Sequence, residues 1–306
     1  MGVYEAVLLT IMTAATPLLI AAMGELVTER AGVLNLGVEG MMIMGAVTGF
    51  GVALTTGNPW FGMLAAVVVG ALFSLLFAFL TLTLVTNQVA TGLALTLLGL
   101  GLSGMIGEAF VGRPGVRLGN LDIPGLTDLP YVGRILFGQD PIFYLSVALT
   151  VGVVWFLFRT RAGLTLRSVG DSHSSAHALG IRVIAIRYLA VMFGGACAGL
   201  AGAHLSLVYV AQWIENMTAG RGWIALALVV FASWRPLRVV AGAYLFGAIT
   251  IGQLHAQALG FAIPSQLLNS LPYLATVVVL VLISRNRRLT MVNTPACLGR
   301  PFVPDR

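Results

Sequence analysis

The sequence predicts an all-α polytopic membrane protein of about nine (8–10) membrane-spanning helices, and three observations predict it. Of 306 residues, 58% are hydrophobic and only 9% charged, with a mean hydropathy of +0.96; a soluble domain carries about 25% charged residues. The apolar residues fall in long runs, and a helix needs about 20 of them to cross the hydrocarbon core. The 17 basic residues are all Arg, and they gather between the runs, as in loops retained on the cytoplasmic side. The chain reads as one transmembrane domain over 1–306, with helices from about 6 to 284 and a tail at 285–306.

The runs lie near 6–23, 33–55, 60–86, 88–110, 141–158, 186–211, 222–234, 237–258 and 265–284. The first follows "MGVYEAVLLT", which lacks the basic region of a cleavable signal peptide, so it reads as a span that starts outside. The turn at 24–30, with Arg30 beside Glu25 and Glu29, is then inside. The loop 111–140 has three Arg, three Asp, glycine and proline, and fits outside. Segment 159–187 holds Arg159, Arg161, Arg167, Arg182 and Arg187 against Asp171, and is placed inside. Arg235 and Arg238 mark a further inside turn, and Arg285, Arg287 and Arg288 open an inside tail. Nine spans with the N-terminus outside and the C-terminus cytoplasmic satisfy all of these together.

Several function classes are excluded. The absence of lysine removes a Walker A phosphate loop and Schiff-base chemistry. Cys197 and Cys297 supply neither a disulfide framework nor a metal site. The net charge of +6 marks loop retention at a membrane, not nucleic-acid binding. "GLGLSG" (99–104) lies inside an apolar run with no strand before it, so it is no dinucleotide site. Gly195 and Gly199, like Gly45 and Gly49, are spaced for close helix packing in lipid.

Three polar clusters interrupt the apolar runs. In "AGVLNLGVEGMMIMGA" (31–46), Asn35 and Glu39 stand four residues apart and are expected on one helix face. A span starting at Val33 places Glu39 about 9–10 Å deep. Two readings are open: a wall of a solute path, or a hydrogen bond between helices inside the bundle. Asn87, Gln88 and Thr91 begin the next polar stretch, with Thr96 beyond; they either line the same path or cap a helix. The third is "QWIENMTAGRGWIALA" (212–227), where Glu215, Asn216 and Arg221 face outside and Trp223 joins the path, or where Trp213 and Trp223 anchor an aromatic-belt turn.

"RSVGDSHSSAHALGIR" (167–182) is too short and polar to span. Asp171 or Ser172 can cap a helix of about two turns that Gly180 ends in left-handed geometry. His173 and His177 are four apart without a third ligand at fitting spacing, so a helix docking a cytoplasmic partner is preferred to a metal site.

The stretches "ERAGVLNLGVEGMMIMGA", "NQVATGLALTLLGLGLSG", "ENMTAGRGWIALALVVF" with "PLRVVAGAYLFG", and "RAGLTLRSVGD…ALGI" resemble permeases of bacterial ABC importers. The family is that of branched-chain amino acid, ribose and simple-sugar permeases, and the motifs point to its nucleoside and simple-sugar subgroup. The resemblance runs from about residue 20 to 285. It implies a pore formed by two permeases, often non-identical, in the bacterial inner membrane. It implies a cytoplasmic ATPase, typically with two fused nucleotide-binding halves, which carries ATP and Mg and leaves no cofactor for this chain. That ATPase docks on the coupling loop within 159–187, here through Gly170, Asp171, Ser172, His173, Ala176, His177, Leu179 and Gly180. An extracytoplasmic binding (lipo)protein delivers the solute toward Glu215, Asn216 and Arg221. The chain departs from the family's "VGENPxAAxxxGI" in reading "VGDSHSSAHALGI", with Asp171 and His173 for Glu and Pro, and Thr96 stands where the family's "ALNLL" has Asn.

The expected function is therefore non-enzymatic: import of a nucleoside or related sugar-containing solute, driven by ATP hydrolysed on the partner. The alternatives are a simple sugar, a branched-chain amino acid, or, in a different class, ion-coupled secondary transport, which also uses broken helices and intramembrane acids.

Overall fold

The computed structural model describes residues 3–121, 125, 127, 133–258, 264–284 and 293–304, and every regular element among them is helical. In order these are α1 (Val3–Arg30), α2 (Val38–Thr56), α3 (Pro59–Ala78), α4 (Gln88–Gly107), α5 (Gly133–Phe137), α6 (Pro141–Arg159), α7 (Arg161–Asp171), α8 (His173–Ala178), α9 (Val183–His204), α10 (Arg221–Phe231), α11 (Pro236–Ala258) and α12 (Ser265–Ser284). Two π-helical turns, Phe79–Thr83 and Leu205–Tyr209, extend α3 and α9. Seven segments among the described residues are long and apolar enough to cross a membrane: Glu5–Arg30, Val38–Thr56, Pro59–Thr83, Gln88–Phe110, Pro141–Arg159, Val183–Tyr209 and Pro236–Ala258.

The nine expected spans change in three places. The inside turn expected at 24–30 is instead the last turns of α1, a 28-residue helix about 42 Å long. Its acids can stay helical because they point inward: Glu25 and Glu29 are buried, and accept hydrogen bonds from the Asn35 amide and the Trp234 indole. The span expected at 222–234 contracts to the 11 residues of α10, about 16 Å, because Ser233 and Trp234 turn left-handed with φ of 49° and 53°. The last run forms α12 with Pro272 inside it, but is not among the seven. Arg285, Arg287 and Arg288 lie outside the described residues.

The centre is a close stack of α2, α3 and α9. Helices in lipid gain little from burying apolar area, so they associate through close backbone packing. Gly45 of α2 faces the Gly199 backbone of α9, Gly199 faces Ala66 of α3, and Gly195 faces Ser74 of α3; a Cβ on any of them would overlap its neighbour. The small-residue spacing in the sequence thus marks the true contacts. By contrast, α4 leaves much of its length exposed, including Leu97 (71%) and Met105 (68%).

The Arg-rich segments converge at one end. Arg30 lies near Asp171, Arg167 and Arg235, and its guanidinium donates to the Trp234 and Asn293 carbonyls. There α7 and α8 lie outside the seven spans.

Candidate functional site

Two interrupted backbones meet inside the bundle. Residues 31–37, between α1 and α2, are turn and irregular chain with no helix. Gly32 adopts φ of 83°, which a glycine takes without strain. Asn35 therefore does not share a helix face with Glu39, contrary to the sequence expectation. Its side-chain oxygen accepts from the Gly37 amide in a local turn, and its amide NH2 reaches the Met41 sulfur. Two glycines and an Asn that bonds its own backbone favour that turn over a continued helix.

The second interruption is 210–220, between the π-turn and α10. Ala211, Asn216 and Ala219 all have positive φ there (55°, 55° and 44°), followed by Gly220 at 83°. Such conformations persist in non-glycine residues only where surrounding contacts hold them, and Glu39 binds the end of this segment. One carboxylate oxygen accepts from Thr218 Oγ1 (2.5 Å) and the Gly220 amide (2.9 Å), the other from the Gly222 amide (2.6 Å). Glu39 is 2% exposed, so it faces the start of α10 and not an open cavity. A carboxylate at this place satisfies amides that a helix N-terminus leaves free, and it opposes the positive end of the helix dipole. Gly222 has to be glycine, since a Cβ would crowd the Glu39 backbone and carboxylate.

The Leu36 carbonyl, freed by the break before α2, accepts from Thr96 Oγ1 (3.1 Å) and from the Trp223 indole NH (3.3 Å). Trp223 is 45% exposed and so presents an aromatic surface beside that carbonyl. Gln88 is buried, and its side-chain oxygen accepts from the Leu34 amide (2.9 Å). Asn87 caps α4 by accepting from the Ala90 amide, and Thr91 pairs with Thr86. Asn87 and Gln88 also line a cavity of about 300 Å³ with Gly299 and Pro301 of the tail.

The three outer-turn residues separate. Glu215 borders a depression of about 470 Å³ with Glu108, Met105 and Trp213. Asn216 is at one of the left-handed positions. Arg221 lies beside the Glu39 cap, donates to the Met217 carbonyl, and stacks over Tyr209 at 5.4 Å. It lines a cavity of about 340 Å³ with Thr250 and Gln253.

At the Arg-rich end, Ser172 is the cap of α8, accepting from the Ser175 amide (3.3 Å), and Asp171 closes α7. Gly180 ends the element at φ of 80°, as expected. Gly170 and Ala176 are buried while Leu179 is 81% exposed. His173 and His177 both pack on the Phe302 ring of the tail, with centroids 5.2 and 5.4 Å away. Burial, then the nearby Arg187 and Arg300 cations, hold the His173 imidazole below its ordinary pKa of 6.5.

Sequence reasoning missed the inward carboxylates Glu25 and Glu29, the tail, and Arg187. Glu25, Glu29 and Arg187 were read as loop charge; their partners, Asn35, Trp234, and Ala31 with Arg300 and His173, are brought to them by the fold.

Residues 7–284 match the family of branched-chain amino acid transport system permease components. The chain is 45% identical over 293 residues to "Putative glucose ABC transporter permease protein TsgC13" of Haloferax volcanii, covering 87% of this chain and 88% of that one. It is 33% identical to the guanosine ABC transporter permease protein NupQ of Bacillus subtilis, over 95% and 94% of the two chains. It is 32% identical to the nucleoside ABC transporter permease protein NupC of Lactococcus lactis subsp. cremoris, over 87% and 88%. The chain belongs to the branched-chain amino acid transport system permease family: it is an ABC transporter permease, a multi-pass transport subunit and not an enzyme.

Proposed function

We propose, from that membership, that the chain is a pore subunit of an ATP-driven importer for a neutral, sugar-containing solute, a nucleoside or a close relative. The observation that carries the solute class is the pairing of Glu39 with α10. A half-helix start inside a membrane is a ready site for an anionic solute group, and here the protein's own carboxylate fills it. A branched-chain amino acid would need that position, or a free deep cation, for its carboxylate. The names of the three relatives, a guanosine, a nucleoside and a "putative glucose" permease, fit the same reading. The 45% identity to the "putative glucose" permease keeps a simple sugar as the second candidate.

Transport then uses Trp223 as a stacking surface for a sugar or base face, with Asn87, Gln88 and Thr91 contributing polar groups elsewhere along the path. The exposed face of α4 fits a second permease, non-identical or a copy, across the pore. The Arg-rich end is cytoplasmic, α8 couples to an ABC ATPase that binds ATP and Mg, and Glu215, Asn216 and Arg221 lie toward the side served by an extracytoplasmic binding protein. A weak site in the pore suits this division, because a conducting path must release what it accepts. The membrane is the cytoplasmic one.

The test is uptake by proteoliposomes holding the purified complex with internal ATP. Labelled guanosine or adenosine should enter in an ATP-dependent manner and Trp223→Ala should slow that entry. Uptake of leucine in preference to nucleosides and sugars, or uptake driven by an ion gradient without ATP, would overturn the proposal.

A further inference from the structure

One guanidinium ties three separate parts of the chain together at the Arg-rich end. Arg187, near the start of α9, is 1% exposed. Its Nε donates to the Ala31 carbonyl (3.1 Å) in the interrupted segment 31–37, and its Nη1 to the Arg300 carbonyl (3.2 Å) in the tail. Its Nη2 lies 3.3 Å from His173 Nδ1 in the first turn of α8. A planar fork with fixed donor directions can hold three elements in one geometry, which a lysine ammonium cannot.

The tail follows the same route. The Asn293 carbonyl accepts from Arg30, the Cys297 amide donates to the Gly170 carbonyl (2.9 Å), and the Gly299 amide donates to the Gly32 carbonyl (3.2 Å). Phe302 then packs on His173 and His177 and on the small apolar core of Val169, Ala176 and Val183. The element proposed to meet the ATPase is thus not a free loop. It is a three-part unit of α8, tail and segment 31–37, and the last of these runs directly into the helix that carries Glu39.

We infer that Arg187 is a positioning residue for coupling, with residues 293–304 as a strap: together they transmit displacement of α8 to the interrupted segment before α2, and through Glu39 to α10. This rests on the proposal that the chain works with an ABC ATPase. A displacement of α8 relative to the bundle pulls on Ala31 and Arg300 through the Arg187 side chain while these bonds persist, and segment 31–37 is turn and irregular chain between two helices.

The experiment uses the full-length tagged chain purified from its native membranes, with the ATPase that accompanies it identified by mass spectrometry. The complex is reconstituted, and solute uptake and ATP hydrolysis are measured in the same vesicles. In Arg187→Lys, hydrolysis per complex should stay near the wild-type rate while solute moved per ATP falls about tenfold. A chain ending at residue 292, which leaves the spans intact, should lower the same ratio, and Phe302→Ala should do so less, with Phe302→Tyr restoring it. A structural role alone would reduce uptake and hydrolysis in parallel; parallel loss, or an unchanged ratio in both Arg187→Lys and the shortened chain, overturns the inference. If the wild-type chain brings down no ABC ATPase, the proposed function falls on that separate result.

Discussion

Glu39 and Arg187 stand at opposite ends of one short stretch of chain and solve the same problem with opposite charges. Glu39 is an anion that collects three donors, two of them amides at the start of α10. Arg187 is a cation that offers its donors to two carbonyls and an imidazole. Both are almost wholly buried, and both hold backbone that has left the helical pattern. The difference lies in what surrounds them. Every partner of Glu39 lies at or just before the start of α10, whereas the partners of Arg187 belong to three elements, none of them within a span. One is a rivet; the other is a joint. Broken helices in a membrane need such groups, because freed amides and carbonyls have no water to turn to.

The largest expected effect tests the rivet. Glu39→Ala leaves two amides and a hydroxyl without an acceptor in a site that excludes water, at a cost of at least about 3 kcal/mol. The detergent-solubilised protein should lose its monodisperse peak or melt well below wild type. Glu39→Gln, whose NH2 meets donors, should recover only part of this. A Glu39→Ala protein of wild-type thermal stability would remove the capping role and return Glu39 to the list of solute contacts.

Arg187→Met comes next. Loss of the fork should cost about 2 kcal/mol, and protease should reach the tail sooner than in wild type, with the spans intact. Equal damage to α10 and to the tail would blur the distinction between rivet and joint. Thr218→Val removes one donor from Glu39 while keeping the shape, so a loss of about 1 kcal/mol is expected, read as a small drop in melting temperature.

The smallest effect is one of pH, and it should appear at the joint alone. His173 is held below its ordinary 6.5 in the folded chain. The released tail and α8 therefore bind the proton more readily than the packed ones, and packing is favoured above pH 6.5 and loses that advantage as the pH falls through 6.5 toward the lower folded value. The protonated ring would also lose its acceptor for Arg187 and face two cations. Tail protection from protease should decline between about pH 7.5 and about pH 5.5, and His173→Gln should flatten the decline. An unchanged decline in that variant would assign it to another group.

How much of this was legible depends on how far apart the partners are. The Ser172 cap, the Gly180 terminus and the Asn87 cap were readable because donor and acceptor lie within a few residues. The glycine spacing was readable because close approach in lipid demands small residues wherever it occurs. Glu39 was conspicuous in an apolar run, but its neighbourhood was not: Gly222 is 183 residues away. Arg187 was less visible still, since an arginine beside an apolar run looks like one more loop charge. Glu25 and Glu29 were read as a turn for the same reason, although α1 continues through them.

By itself, then, the sequence determined the membrane class, most helices and the places where backbones touch, because the bilayer imposes length and polarity on each segment separately. Only the tertiary structure decided which polar groups meet. Asn35 and Glu39, four residues apart, ended on different backbone geometries, while Ala31 and Arg187, 156 apart, ended in contact. Hydrogen bonds between distant segments depend on how several helices pack at once, and no local pattern carries that information.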